Sequence, residues 1–133
     1  MEYDDEYPTC GRTYATVRIF GIPATEVGSA LGLVATRMQL VSLVPPRRPN
    51  GWFLTTEGAI ASRDIRRHLD WLLDRLEPKA GALAELRSRG ASADIFCYWL
   101  SATGHGGPTL SPSQSKRLAA LDLECGFDVY FPE

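Results

Sequence analysis

The sequence is poor in the residues that carry metal and redox chemistry. Its 133 residues include two histidines, His68 and His105, and three cysteines. No Cys-x-x-Cys or His-Glu-x-x-His spacing occurs, so no metal site and no cofactor is expected. Three widely spaced cysteines are no disulfide framework. Cys97 and Cys125 sit in apolar runs and read as small buried hydrophobes, and all three thiols are expected to be reduced. No apolar run approaches the roughly 20 residues that span a bilayer. The net charge of -2 leaves no basic footprint for nucleic acid. The start, Met1 to Glu6, is acidic, unlike the basic and then apolar start of a secretory signal. A cytoplasmic protein without membrane or nucleic-acid partners is the expectation.

What is present is an ordinary globular composition, 44% hydrophobic and 23% charged, at a length that suits one domain. Residues 1–11 lack apolar periodicity and read as a flexible acidic arm, with a single domain over 12–133. Thr13 to Phe20 alternates as a strand does. Ala15, Val17 and Ile19 form its apolar face, and Tyr14, Thr16, Arg18 and Phe20 the other. Ala24 to Leu31 fits a short helix stopped by Gly32, with Val27, Ala30 and Leu31 buried. Met38 to Val44 and Trp52 to Thr55 read as the two strands of a hairpin with a proline-rich tip.

The strongest periodicity follows. Ile65, Leu69, Leu72, Leu73 and Leu76 recur at helical spacing behind Ser62, the expected cap. Pro78 interrupts the stripe, which resumes at Ala80, Leu83 and Leu86, predicting a kinked helix or two helices end to end. Ala93 to Leu100 has large residues on both faces and reads as a central strand. Ser111-Pro112-Ser113-Gln114 is a capping box with proline at the first helical position. Glu124 to Phe131 alternates again as a strand. The order β-α-β-β-α-β-α-β predicts an α+β fold: a ferredoxin-like split βαβ sheet with an additional C-terminal helix and strand.

Several stretches together resemble a bacterial family, that of domain of unknown function 4279. They are Thr13 to Gly21, Ala30-Leu31-Gly32-Leu33 with Thr36-Arg37, Gly51-Trp52-Phe53-Leu54, Ile65 to Leu86 around Leu76-Glu77-Pro78-Lys79, and Phe127-Asp128-Val129-Tyr130. The resemblance spans nearly everything after the acidic arm. It implies no activity that maps onto particular residues. Some small bacterial domains of this kind sit in toxin–immunity settings, which is an association only.

No catalytic set emerges from the residues. The serines near His105 show no orienting third group or oxyanion hole. Asp64 and His68, four apart, read as a helix-surface contact. The glycines around His105 read as a flexible connection, because Pro108 and Pro112 remove donors that a phosphate cradle needs. More informative are residues that one core does not explain. Trp71 falls off the helical stripe, as do Arg66 and Arg67. Tyr98 and Trp99 point to opposite faces of one strand, so at least one leaves a one-sided core. Trp, Tyr and Arg are the residues of interface hot spots. The expectation is a non-enzymatic protein-binding module, immunity-type or self-associating as a homodimer, with Trp71, Arg66, Arg67, Trp99, Tyr98 and His105 as candidate contacts. The alternative is a small-molecule or enzymatic site between the 45–51 and 103–108 loops.

Overall fold

The computed structural model of the chain describes residues 2–132. Its elements are β1 (Cys10–Phe20), α1 (Ala24–Leu31), β2 (Arg37–Gln39), β3 (Gly51–Thr55), α2 (Ile65–Leu76), a 3-10 turn (Glu77–Lys79), α3 (Ala80–Ser88), β4 (Ser92–Ser101), α4 (Pro112–Ala120) and β5 (Glu124–Tyr130). The five strands lie in the order β2-β3-β1-β4-β5. Every neighbouring pair is antiparallel except β4 and β5. The first four strands make the expected split βαβ sheet, and the last helix and strand extend it as expected: α4 carries the chain across and β5 adds beside β4 in parallel.

The core lies on one side of this sheet. Ala15, Val17, Ile19, Trp52, Leu54, Ile95 and Cys97 point from the strands toward Val27 and Leu31 of α1, the α2 leucines, Leu83 and Leu86 of α3 and Leu118 of α4. Each fully buried large aliphatic side chain among them contributes roughly 1.5–3 kcal/mol. Ala24, rather than the expected Ala30, completes the buried side of α1.

Local chemistry explains the element ends. Gly32 adopts φ 64° and closes α1 by donating its N–H to the carbonyl of Gly28. Pro78 resolves the long helical stripe into two helices end to end, joined by the 3-10 turn. The capping box at Ser111 and Gln114 forms as read. The cap of α2 is Asp64, whose carboxylate accepts the Arg66 N–H at 3.0 Å, and not Ser62. Ser62 instead accepts from the Asp64 N–H and donates to Asp5.

Two stretches depart from expectation. The strand read over 38–44 stops at Gln39. Pro45, Pro46 and Pro49 cannot donate to a ladder, so the tip holds only an isolated bridge between Ser42 and Arg48. The segment read as a loose acidic arm is tied to the body. The Tyr3 hydroxyl donates to Asp70 at 2.6 Å, the Asp4 N–H to Asp64 at 2.8 Å, and Asp5 accepts from Arg67. Its acidic side chains answer the basic first turn of α2, a pairing no local pattern reveals.

Candidate functional site

The other side of the sheet carries no helix and no other covering layer among the described residues. Its side chains follow the two-residue period of the strands. β1 presents Tyr14, Thr16, Arg18 and Phe20, β3 presents Phe53 and Thr55, β4 presents Phe96 and Tyr98, and β5 presents Asp128 and Tyr130. Together they line a shallow concavity of about 760 Å³.

The face has two halves. In one, Tyr14 and Tyr98 sit opposite each other in the ladder and stack at 5.0 Å. Tyr130 continues the row, 5.1 Å from Tyr98. Burial pushes the Tyr14 phenol upward, and its hydrogen bond to Asp128 does the same for Tyr130, so both remain protonated at neutral pH. In the other half, phenylalanine rings lie flat with guanidinium groups over them. Arg18 stands 4.3 Å above Phe96 and Arg37 4.2 Å above Phe53.

Two glycines make the flat geometry possible. A β-carbon at Gly51 would stand 2.7 Å from the Phe53 ring, and one at Gly126 would stand 3.3 Å from Phe96. Each ring therefore occupies the space a side chain beneath it would need. Arg18 is further held by Asp94, which accepts two parallel hydrogen bonds at 2.8 and 2.7 Å and raises its pKa. Arg12 pairs with Glu57 beside Tyr14. Among the described residues Arg37 has no acidic partner, so the face carries compensated charge together with a guanidinium outside any ion pair.

The structure sorts the sequence-derived candidates. Tyr98 is on the open face. Trp99, its neighbour, is fully buried on the helix-covered side and presents no surface. Trp71 packs partly into the core with Arg75 stacked 3.4 Å above its ring. Arg66 is held by the Asp64 carboxylate and donates to Ser111 at 3.0 Å. Arg67 pairs with Asp5 and covers the Tyr3 ring. These arginines thus fasten the N-terminal segment and α4 to α2. His105 is exposed on its loop, where its carbonyl accepts from Ser101.

The two loops of the alternative site are not brought together. The 45–51 loop lies at the Phe20 end of β1, which pairs with Gly51. The 103–108 loop follows Ser101, which pairs with Cys10 at the other end. Ten residues of strand separate them, about 30 Å.

Two further polar groups belong to the framework. His68 is buried, with Nδ1 2.6 Å from the Thr56 hydroxyl and Nε2 2.8 Å from the Ser62 carbonyl, and it makes no hydrogen bond with Asp64. Burial lowers its pKa, so Thr56 donates to Nδ1 while Nε2–H donates to Ser62. Asp70 accepts from Tyr3, Gln114 and Arg117. Cys97 and Cys125 are free thiols with sulfurs 3.7 Å apart, and their hydrogen bond and burial push Cys97 well up, away from nucleophilic thiolate. Among the described residues no three His, Cys, Asp or Glu side chains converge as metal ligands, and no helix is long and apolar enough to cross a membrane.

The family model for a domain of unknown function, DUF4279, matches residues 12–132. The chain belongs to this family. The match begins inside β1 and runs past β5, so it covers all of the sheet but the first two residues of β1, together with α1 to α4. No curated protein and no solved structure matches the chain.

Sequence reading missed most of the open face. Tyr14, Phe53, Phe96 and Tyr130 are not among the sequence-derived candidate contacts, because in their strands alternation marks the core face and leaves the role of the other face open. The usable signal was the second set of alternate positions, aromatic or arginine at Tyr14, Arg18, Phe20, Phe96 and Tyr98.

Proposed function

We propose that this DUF4279 chain is a non-enzymatic, cytoplasmic bacterial protein-binding module that engages another protein through its open sheet face. The observation that carries the reading is the uncovered tyrosine row beside two arginine-capped phenylalanines. Tyr, Phe and Arg are the residues enriched at protein interfaces, and rigid rings supply contact area at low entropic cost. The compensated charge of the face favours a protein of mixed charge over a nucleic acid, whose binding would need a net basic track. Three free thiols fit a reducing compartment. An immunity-type role is one form the module would take, with a toxin gene beside its own.

The test is a Tyr14→Ala/Tyr98→Ala/Tyr130→Ala variant, compared with Lys116→Ala on exposed α4, in co-purification from the native host. Loss of a discrete protein partner in the first and retention in the second supports the reading. Equal recovery in both removes it.

A second reading rests on Arg37. Its uncompensated guanidinium over Phe53, at the rim of a concavity in the usual ligand-site range of roughly 300–1,000 Å³, suits a small aromatic anion. Thermal-shift screening of aromatic carboxylates against wild type and Arg37→Gln separates it from the first.

A further inference from the structure

The large apolar side chains left most exposed among the described residues gather at the two edges of the sheet. Val34, Met38, Leu40, Val41, Leu43 and Val44 flank or extend β2, with Leu40 84% and Leu43 79% exposed. Val129, Tyr130 and Phe131 lie on or just past β5. Elsewhere such residues are buried or half-buried, so this exposure is confined to the two edge strands and the segments that flank them. An edge strand with apolar flanks is a template for another strand.

The two edges differ in charge. From 33 to 50 the chain carries Arg37, Arg47 and Arg48 and no acidic residue. From 121 to 132 it carries Asp122, Glu124 and Asp128 and no basic residue. None of these six belongs to any of the ion pairs formed among the described residues. Two β2 edges repel each other, as do two β5 edges, while a β2 edge attracts a β5 edge.

The ladder brings these charges into line. Arg37 pairs with Phe53, Phe53 with Arg18, Arg18 with Asp94, and Asp94 with Glu124. Arg37 and Glu124 therefore end one continuous row across the sheet. Arg37 lies on the open face, and Glu124 shares the strand parity of Gly126 and Asp128, which also face that way. β2 and β5 run in opposite directions, since the antiparallel pairs β2–β3, β3–β1 and β1–β4 reverse the chain three times and β5 runs parallel to β4. A second copy set beside the first, its helices on the same side, would meet it as an antiparallel pair with Arg37 of one copy next to Glu124 of the other.

We infer that this chain self-associates head to tail, the basic β2 edge of one copy pairing with the acidic β5 edge of the next. Such a contact is heterologous, so it does not stop at a dimer. It leaves the open face uncovered, and it stands apart from the protein-binding reading because it needs only the chain itself.

The test uses sedimentation velocity on the purified full chain, with far-UV circular dichroism to confirm the fold of each variant. Wild type is expected to grow past dimer with concentration and to fall back toward monomer between about 0.05 and 0.5 M salt. Arg37→Glu alone and Glu124→Arg alone are each expected to stay monomeric, since each puts like charges at the junction. Mixed in equal amounts they are expected to assemble again, because Glu at 37 then meets Arg at 124. A Tyr14→Ala/Tyr98→Ala variant, which leaves Tyr130 of the β5 edge in place, is expected to assemble as wild type does, which separates this contact from the open-face site. Wild type that stays monomeric up to about 1 mM overturns the inference. So does a dimer that grows no further, or a mixture that fails to assemble.

Discussion

Phe96 rests on Gly126: a β-carbon at that glycine would stand 3.3 Å from the ring. The same relationship between Gly51 and Phe53 is tighter, at 2.7 Å. The first contact can relax by a few tenths of an ångström, whereas the second requires the buried Phe53 ring to move beneath Arg37. Gly51→Ala is therefore expected to destabilise by about 1–3 kcal/mol and Gly126→Ala by less. Urea unfolding of both variants checks the order, and the reverse order would contradict the platform geometry.

Tyr98 and Trp99 are adjacent in sequence and opposite in consequence. Trp99 is fully buried, so Trp99→Ala leaves a cavity and is expected to cost about 3–5 kcal/mol. Tyr98→Ala removes two ring contacts on an open face and is expected to cost only about 1 kcal/mol. Denaturant midpoints distinguish the two, and equal losses would mean that both faces are core.

Asp70 joins three elements. Its carboxylate accepts from Tyr3 near the N-terminus, from Gln114 at 3.0 Å and from Arg117 at 2.9 Å. Arg117 keeps Asp74 and Glu77 when Asp70 is lost, but the buried amide of Gln114 loses an acceptor. Asp70→Ala is expected to cost about 2–3 kcal/mol and to raise proteolytic cleavage in the first ten residues. Limited proteolysis with mass spectrometry reads the second effect, and an unaltered cleavage pattern would show that Tyr3 is held by other means.

His68 makes stability depend on pH. Burial holds its folded pKa below the unfolded value of 6.5. The unfolded chain then binds more protons, so this contribution is complete above pH 6.5 and is lost as pH falls below it. Asp64 acts lower. Burial would raise its pKa, yet the hydrogen bonds from Arg66 and from the Asp4 N–H hold it below the ordinary carboxylate range. His68→Gln is expected to flatten the decline in stability between about pH 6.5 and 5. Urea melts across that window test this, and an unchanged slope in the variant would assign the decline to other groups.

The fold was legible because its signals are local and periodic. Ala15, Val17 and Ile19 alternate, Ile65 to Leu76 repeats at helical spacing, and Ser111 with Gln114 marks a helix start. The element order pointed to a split βαβ sheet, but the pairing order β2-β3-β1-β4-β5 depends on contacts between distant segments and was not legible in the sequence. The candidate site was harder to see. Trp71, Arg66 and Arg67 stand off the α2 stripe; Arg75 one turn on covers Trp71, but Asp5 and Ser111, which engage Arg67 and Arg66, lie far along the chain. Whether Tyr98 or Trp99 faced the core depended on which side the helices pack, a choice made by tertiary structure. The glycines under Phe53 and Phe96 looked like weak strand positions until the rings above them were placed.

The most direct measurement is site-specific photo-crosslinking in the native host, with a photoreactive amino acid at Tyr98 on the open face and at exposed Ser88 at the end of α3. A discrete protein adduct at position 98 and none at 88 is the predicted result. Adducts at 88 alone, or none at 98 under conditions where the chain is folded and abundant, would contradict the open face as the protein-binding surface.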